Sequence, residues 1–520
     1  MPGGEQGTSR AIGRALLLVA LVATGAGAVN ADAQEPQAPK EPAAVPPGGG
    51  DEALRRELEE LRTRQRWLER RLTAAEKAAA DTKAANEARA AEEMRRASDE
   101  ARLAAQVQAA AHPPDAGSEE GPVRLHFGRH GFSFGTADGK NTLHIGLVLH
   151  VDGRAYFTDR LPISDTFLIR RARPDIAGTL FGIVDYRLLT DFGQGTPQIL
   201  DAYIELHPVP WLKLRAGRWR VPIGLEWLQS DSTIVLVERS LASDLIPLRD
   251  LGVMLNGAVG GGTFEYQIGV FNGAPDSGNG PDFDPQSSKD YVGRVFFHPL
   301  RPSHREVLSN LGLGVAGSYG TSAGAAASAL PSYKSIGQQV IFSYIAPGPA
   351  MPGALAAAGV LPGSNRWRVS PQLYWYLGPV GILAEYMLSS QSVQRNGETA
   401  DLQNRAWNLT TSFVLTLEHA SYEGVVPRHP VDFRHPHFGA IEVAFRYSEL
   451  RIDPQAFPDF ADPSLSVKQA RELSGGFNWY LTEHVRFMLS FSHTDFLQGA
   501  PLGGNREPEN ALLGRLQIKL

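Results

Sequence analysis

Cysteine is absent from all 520 residues, so disulfides and thiolate metal sites are excluded. Long hydrophobic runs are also missing. Beyond the first 33 residues nothing reaches 18 consecutive apolar positions, which excludes a transmembrane helix. Charge of one sign is scarce as well: the net charge of −6 is small for this length and gives no reason to invoke nucleic acid. Lysine supplies only nine of the 50 basic residues, so an abundance of arginine is by itself no sign of function. No phosphate-binding loop and no dinucleotide fingerprint occurs, and the reading implies no cofactor and no catalytic residue.

What is present falls into five parts. Residues 1–33 read as a secretory signal peptide. Arg10 and Arg14 precede the short apolar core Ala15–Ala23, and Ala31-Asp32-Ala33 is a small-x-small cleavage site that starts the mature chain near Gln34. Residues 34–50 form a Pro/Gly/Ala linker. Residues 51–110 contain neither Pro nor Gly. Leu54, Leu58, Leu61, Gln65, Leu68, Leu72, Ala75 and Ala79 keep a 4-3 spacing, which predicts an α-helical coiled coil in the periplasm. A single solvated helix is the alternative, although such a helix is marginal alone. Residues 111–122 are a second linker.

Residues 123–520 change to a period of two. Leu143, Ile145, Leu147, Leu149 and Val151 share one strand face, and Ile441, Val443, Phe445 and Tyr447 another. The alternation runs to the last residue: Leu516, Ile518 and Leu520 oppose Arg515, Gln517 and Lys519. A terminal strand that must leave no open edge in lipid belongs to a closed barrel. The fold predicted is therefore all-β, a transmembrane antiparallel β-barrel of about 16 strands, apolar outside and polar or small within. Aromatics near segment ends (Tyr156, Trp211, Phe297, Trp479) suit interfacial girdles. The tracts 321–337 and 346–365 read as extracellular loops, with short turns expected on the periplasmic side. A soluble periplasmic β-protein would show the same period but bury its apolar face.

Polar chemistry concentrates between Phe167 and Arg249. Arg170, Arg171 and Arg173 crowd one strand, Arg218 lies on another, and Arg239 follows Glu238 in a long connection. Arginines in a narrow aqueous lumen attract anions and can bind oxyanions bidentately. Strict alternation cannot put both Arg170 and Arg171 inside, so a bulge or strand end is required. Other candidate lumenal charges are Asp185, Arg187, Asp201, Glu205, Glu442 and Arg446. The competing reading pairs these arginines with lumenal acids such as Asp175, Asp185, Asp201 and Glu205. His429, His435 and His437 cluster with Asp432 in a Pro-rich stretch that reads as a solvated loop, and no metal site is assigned. A barrel hydrolase would need a serine beside a histidine such as His144, which spacing cannot supply.

Several motifs together resemble the phosphate-selective porin O/P family: FLIRRARPDIAGT (Phe167–Thr179), DAYIEL (Asp201–Leu206), LKLRAGRWRVPIGLE (Leu212–Glu226), VERS (Val237–Ser240), RDLGVMLNG (Arg249–Gly257), EVAFRYSEL (Glu442–Leu450) and GGFNWYL (Gly475–Leu481). The resemblance implies a sixteen-stranded trimeric channel whose third loop, near 229–250 here, folds inward. It also implies an anion-binding constriction matched by Arg170, Arg171 and Arg239. Trp227 stands where phosphate-specific members carry lysine, an arginine of the first lumenal strand is replaced near Leu147, and Leu520 replaces the usual terminal Phe.

The function expected is passive diffusion of small solutes, with a preference for anions and phosphate or another oxyanion as the finer possibility. Outer-membrane lipid, small anionic solutes and two further copies of the chain are the partners expected, and nucleic acid is not. The alternative is a structural envelope tether, in which the barrel anchors a coiled coil that binds peptidoglycan or a periplasmic partner.

Overall fold

The computed structural model describes residues 123–520 apart from 129–130, 158–163, 283–288, 302–308, 323–329 and 349–357. The signal peptide, both linkers and the coiled coil expected within residues 1–122 lie outside the described residues.

The chain runs as β1 (Arg124–Gly128), β2 (Gly131–Gly135), β3 (Thr142–Tyr156), β4 (Thr166–Leu180), β5 (Val184–Asp191), β6 (Gln198–Val209), β7 (Leu212–Arg220), β8 (Arg249–Val259), β9 (Phe264–Phe271) and β10 (Asp290–Phe297). It continues as β11 (Leu311–Thr321), β12 (Ser332–Lys334), β13 (Val340–Ser343), β14 (Leu361–Leu377), β15 (Val380–Arg395), β16 (Glu398–Val414), β17 (Ala440–Arg451), β18 (Val467–Tyr480), β19 (Val485–Gln498) and β20 (Glu509–Lys519). Sixteen of these, β3–β11 and β14–β20, pair antiparallel in a closed ring. The ring shuts where Ala511–Lys519 pair with Tyr156–Val148. The hairpin β1–β2 adds beside β3, from Phe132↔Ile145 to Gly135↔Thr142, on the stretch of β3 that β20 does not reach.

Closure satisfies the backbone of β20, which if unpaired would expose donors and acceptors to lipid. The outer face is apolar and exposed around the wall, as at Ile145, Ile169, Leu188, Ile204, Leu255, Ile268, Val315, Leu409, Leu473, Leu489 and Leu516. A soluble sandwich would bury such residues; an exposed belt of them is the surface of a barrel in hydrocarbon.

The two ends of the barrel differ. At one end the connections are mostly tight (181–183, 210–211, 260–263, 378–379 and 481–484), whereas the other carries the long loops 221–248, 272–289, 322–360 and 452–466. Two connections at the short-turn end depart from the expectation of brevity: 298–310, between β10 and β11, and the longer 415–439, between β16 and β17.

The lumen also departs from a simple water-filled interior. Three loops share one buried apolar cluster, with Val221, Ile223, Trp227, Val237, Leu241, Leu245 and Ile246 from the first, Tyr333, Ile336, Ile341 and Phe342 around β12–β13, and Phe460 and Ala461 from 452–466. They pack on inward Met387, Val393, Leu402, Leu450, Phe496 and Leu513 of the wall. Those inner positions are apolar because they face protein. Of the tracts read as loops, 330–337 thus contributes to the lumenal core, and 361–365 begins β14.

Candidate pore constriction

The third connection at the loop end, 221–248, turns into the barrel and begins earlier than the 229–250 expected; Arg249 and Asp250 already belong to β8. Pro222 has no amide hydrogen to extend β7. Gly224 then turns the chain at φ 82°, where a Cβ would lie 2.1 Å from Ile246 Cδ1, so only glycine fits. A helical turn, Leu225–Leu228, follows.

Two carboxylates clamp this loop to the wall formed by β3, β4, β7 and β20. Asp231 meets Arg171 Nη2 at 3.1 Å and Arg220 Nη2 at 2.7 Å, and it also pairs with Arg173 and Arg239. Glu238 accepts from Arg170 Nε at 2.8 Å and Arg154 Nη2 at 2.9 Å, with Arg515 Nη2 at 3.8 Å. Arg515 is itself held bidentately by Asp152 at 2.7 Å, and Arg173 donates through Nε alone to Asp191 at 2.7 Å. Seven arginines here share four carboxylates, so the wall keeps a positive excess. Burial pushes the Asp231 carboxyl up, but Arg171, Arg239, Arg173 and Arg220 outweigh it and hold it well below the usual range. Glu238 is lowered in the same way, burial being overcome by Arg170, Arg515 and Arg154.

The loop is seated on the opposite wall through Glu226, which accepts from Ser240 N at 2.9 Å and Arg446 Nη1 at 3.2 Å. Arg446 also meets Glu472 at 3.1 Å and donates to Glu238 O at 2.9 Å. Trp227 lies beneath the guanidinium groups of Arg220, Arg239 and Arg249, at 4.9, 5.0 and 5.5 Å from its ring centroid. Where lysine would add charge, an aromatic face gathers three cations.

Below the loop, toward the short-turn end, lies a cavity of about 310 Å³ lined by Arg173, Arg187, Arg215, Arg220 and Arg249, by Asp175, Asp201 and Asp231, and by Tyr203, Trp219, Tyr422 and Glu423.

The bulge required at Arg170 is present: Arg171 pairs with His150 and Ile169 with Val151, which leaves Arg170 as the extra residue. Arg170, Arg171 and Arg239 do come together, but as clamps whose side chains are 16%, 5% and 8% exposed. Their partners are Asp231 and Glu238, two loop acids absent from the acids expected to pair with them. Arg187 pairs with Asp175 at 2.7 Å and Asp201 at 3.6 Å, and Arg215 with Glu205 at 2.7 Å. Asp185 sits nearer the short-turn end with Thr179 and His207. Glu442 accepts from Tyr480 Oη at 2.6 Å. Arg218 is a correction: it lies in register with Ala202 and Leu251, pairs with exposed Asp282 and does not line the cavity, whereas Arg220, of the same parity at the strand's end, turns in to Asp231.

Sequence reasoning missed Arg154, Arg249 and Arg515, as well as Asp231. The wall arginines were legible in principle: Arg154 has the parity of His150 and Asp152, and Arg515 sits opposite Asp152 once β20 closes on β3. Leu147 has the outward parity, and Arg154, farther along the same strand, reaches Glu238. No alternation applies to a loop, so Asp231 gave no comparable signal.

Asp244, at the far end of the loop, is buried where three loops meet. It accepts from Ser277 Oγ at 3.3 Å and Lys334 N at 3.2 Å, and burial pushes its carboxyl up to about 8. A raised acid keeps its proton in the folded state while the unfolded chain loses it, so stability falls as pH rises from about 4 through about 8. Thermal unfolding between pH 5 and 9 should show this slope, and Asp244→Asn should flatten it; an equal slope in both proteins would remove Asp244 as its source.

His429 and His437 stack at 4.7 Å, and His435 Nδ1 lies 2.8 Å from Asp432 Oδ2. Among the described residues no three metal-binding side chains converge. Ser133 Oγ lies 2.7 Å from His144 Nδ1, and no described carboxylate hydrogen-bonds that histidine.

Solved barrels similar to this chain include the outer-membrane channel DcaP of Acinetobacter baumannii (9% identity, TM-score 0.47, 74% of this chain and 99% of that one). Others are a loop-deleted OmpT of Vibrio cholerae (9%, 0.46, 73% and 100%) and an anion-selective porin from Comamonas acidovorans (10%, 0.44, 73% and 100%). No curated protein matches the chain by sequence. The profile of the family described as phosphate-selective porin O and P matches residues 143–519, nearly the whole barrel. With its closed sixteen-strand wall and inward third loop, the chain belongs to that family of outer-membrane channels.

Proposed function

We propose that this barrel is a passive outer-membrane porin for small solutes with a preference for anions. Selectivity comes from a positive field rather than from free binding arginines. The carrying observation is the excess of seven arginines over four carboxylates where the inward loop meets β3, β4, β7 and β20. In a narrow lumen such an excess raises the local concentration of anions and repels cations. Arg170, Arg171 and Arg239 shape that field and hold the loop. Arg187 and Arg215, with side chains 34% and 23% exposed, are the cavity arginines a passing anion meets. Trp227 in place of lysine favours general anion preference over tight phosphate binding. A homotrimer is part of this reading; the heptad spacing of residues 54–79 fits an association of helices but does not fix their number.

The test is the reversal potential of the purified protein in a planar bilayer under a salt gradient, with and without phosphate. Each unit charge removed about 8 Å from the ion path changes its energy by about 0.5 kcal/mol in water, roughly twofold in permeability. Each charge acts on anion and cation in opposite senses, so Arg187→Gln with Arg215→Gln should lower the anion-to-cation ratio about sixteenfold at low salt. An unchanged ratio would place the ion path elsewhere, and a cation-favouring potential in the unmodified protein would overturn the anion preference.

A further inference from the structure

The 415–439 connection is much longer than a turn between neighbouring strands needs. Its first half enters the lumen from the short-turn end. Val414, Ala420 and Val425 pack with Tyr376 and Tyr480 of the wall and root it there. Tyr422 then reaches the inward loop. Its Oη donates to Leu225 O at 2.6 Å, and its own carbonyl accepts from Gln229 Nε2 at 2.9 Å. The Tyr422 ring stacks on Tyr374 at 5.2 Å, which holds it against the wall. Two residues on, Gly424 packs against Thr233, leaving only 3.2 Å between a Cβ built there and Thr233 Cγ2.

Between these contacts sits Glu423. It lines the 310 Å³ cavity together with Arg173, Arg187, Arg215 and Arg220, and it is exposed. Its backbone N–H donates to Ser421 Oγ at 3.0 Å, while its carboxylate makes no ion pair among the described residues. The acids on the arginine wall are neutralised by direct partners; this one is not. A solvated surface carboxylate would have no reason to be carried into the lumen by a segment fixed at Tyr422 and Gly424.

We propose that the 415–439 segment is the second jaw of the constriction and that Glu423, held across the cavity from the arginine wall, is a selectivity determinant that moderates anion preference. Tyr422 is its positioning residue. The inference rests on the proposed ion path through this cavity. An anion there is drawn to one side by the arginines and repelled from the other by Glu423. The pore thus discriminates by position as well as by net charge.

The absence of cysteine permits a test on the folded, conducting protein. Glu423→Cys creates a single thiol, and reversal potentials are measured in a bilayer before and after a negatively or a positively charged methanethiosulfonate reagent. Glu423→Cys should raise the anion-to-cation ratio about twofold at 0.1 M salt. The negative reagent should return the ratio toward that of the unmodified protein and the positive one should raise it again. All of these shifts should shrink at 1 M salt, where the Debye length is about 3 Å. Tyr422→Phe, which keeps every charge, should move the ratio toward that of Glu423→Cys; a merely structural Tyr422 would leave it unmoved. A thiol that does not react, or that reacts without moving the ratio, overturns the proposal. If the unmodified channel favours cations and the reagents still shift the ratio as stated, the second jaw stands and the anion preference of the protein fails instead.

Discussion

Asp231→Asn should open the channel and raise its anion preference. One carboxylate, 4% exposed, is the common partner of Arg171, Arg173, Arg220 and Arg239. Asparagine keeps the shape and removes the charge. Four guanidinium groups then repel one another in a confined space, and Arg239, the one carried by the loop, is pushed from the other three. Removing one partner of a buried ionic cluster typically costs about 3–5 kcal/mol, because uncompensated charge stays behind. Glu238 still ties the loop to Arg154 and Arg170, so the barrel should fold while the part of the loop around Asp231 leaves the wall. Single-channel conductance should rise. One charge about 5 Å from the ion path in water changes the permeability of each ion roughly fourfold in opposite senses, so the anion-to-cation ratio should increase roughly sixteenfold at low salt. Conductance and selectivity equal to those of the unmodified protein would show that Asp231 does not hold the loop.

Arg446→Met should act in the opposite electrical direction and cost more stability. Arg446 is 2% exposed and joins Glu226 of the loop to Glu472 of β18, while capping the Glu238 carbonyl. Methionine fills much of the space but leaves two buried carboxylates without their cation. The expected loss is again about 3–5 kcal/mol, read as a lower temperature for the loss of heat-resistant gel mobility. The ratio should shift toward cations, since the lumen gains a net negative charge. Adding Glu472→Leu should recover much of the stability, because a buried ion pair can often be replaced by apolar residues at little cost. A double variant no more stable than Arg446→Met alone would mean that the loss comes from packing, not from stranded charge.

The two variants probe the two sides of one loop, and the sequence disclosed those sides unequally. Strand parity identified the inward positions of Arg187, Asp201 and Arg446, and it demanded the irregularity at Arg170 that the pairing of β3 with β4 contains. At Arg218 the lumenal reading ran against parity, which sets that residue on the face opposite Arg215. Parity said nothing of Asp231, Glu238 or Glu423 as partners or neighbours of those arginines, because all three lie outside the strands. The inner apolar positions Met387, Leu402 and Leu450 looked like breaks in a polar lining until the loops that cover them were in place.

What the sequence by itself determined is the wall: the period of two and the apolar outer face together demand a closed barrel in lipid. Local periodicity suffices there because each strand meets the same environment, hydrocarbon outside and lumen inside. What only the tertiary structure decided is which charges remain for a passing ion. Arg154 meets Glu238 across 84 residues, and Arg446 meets Glu226 across 220. Whether an arginine attracts solutes or holds a loop depends on where that loop ends up, and the path of a loop follows from its packing against distant strands rather than from any repeat in its own sequence.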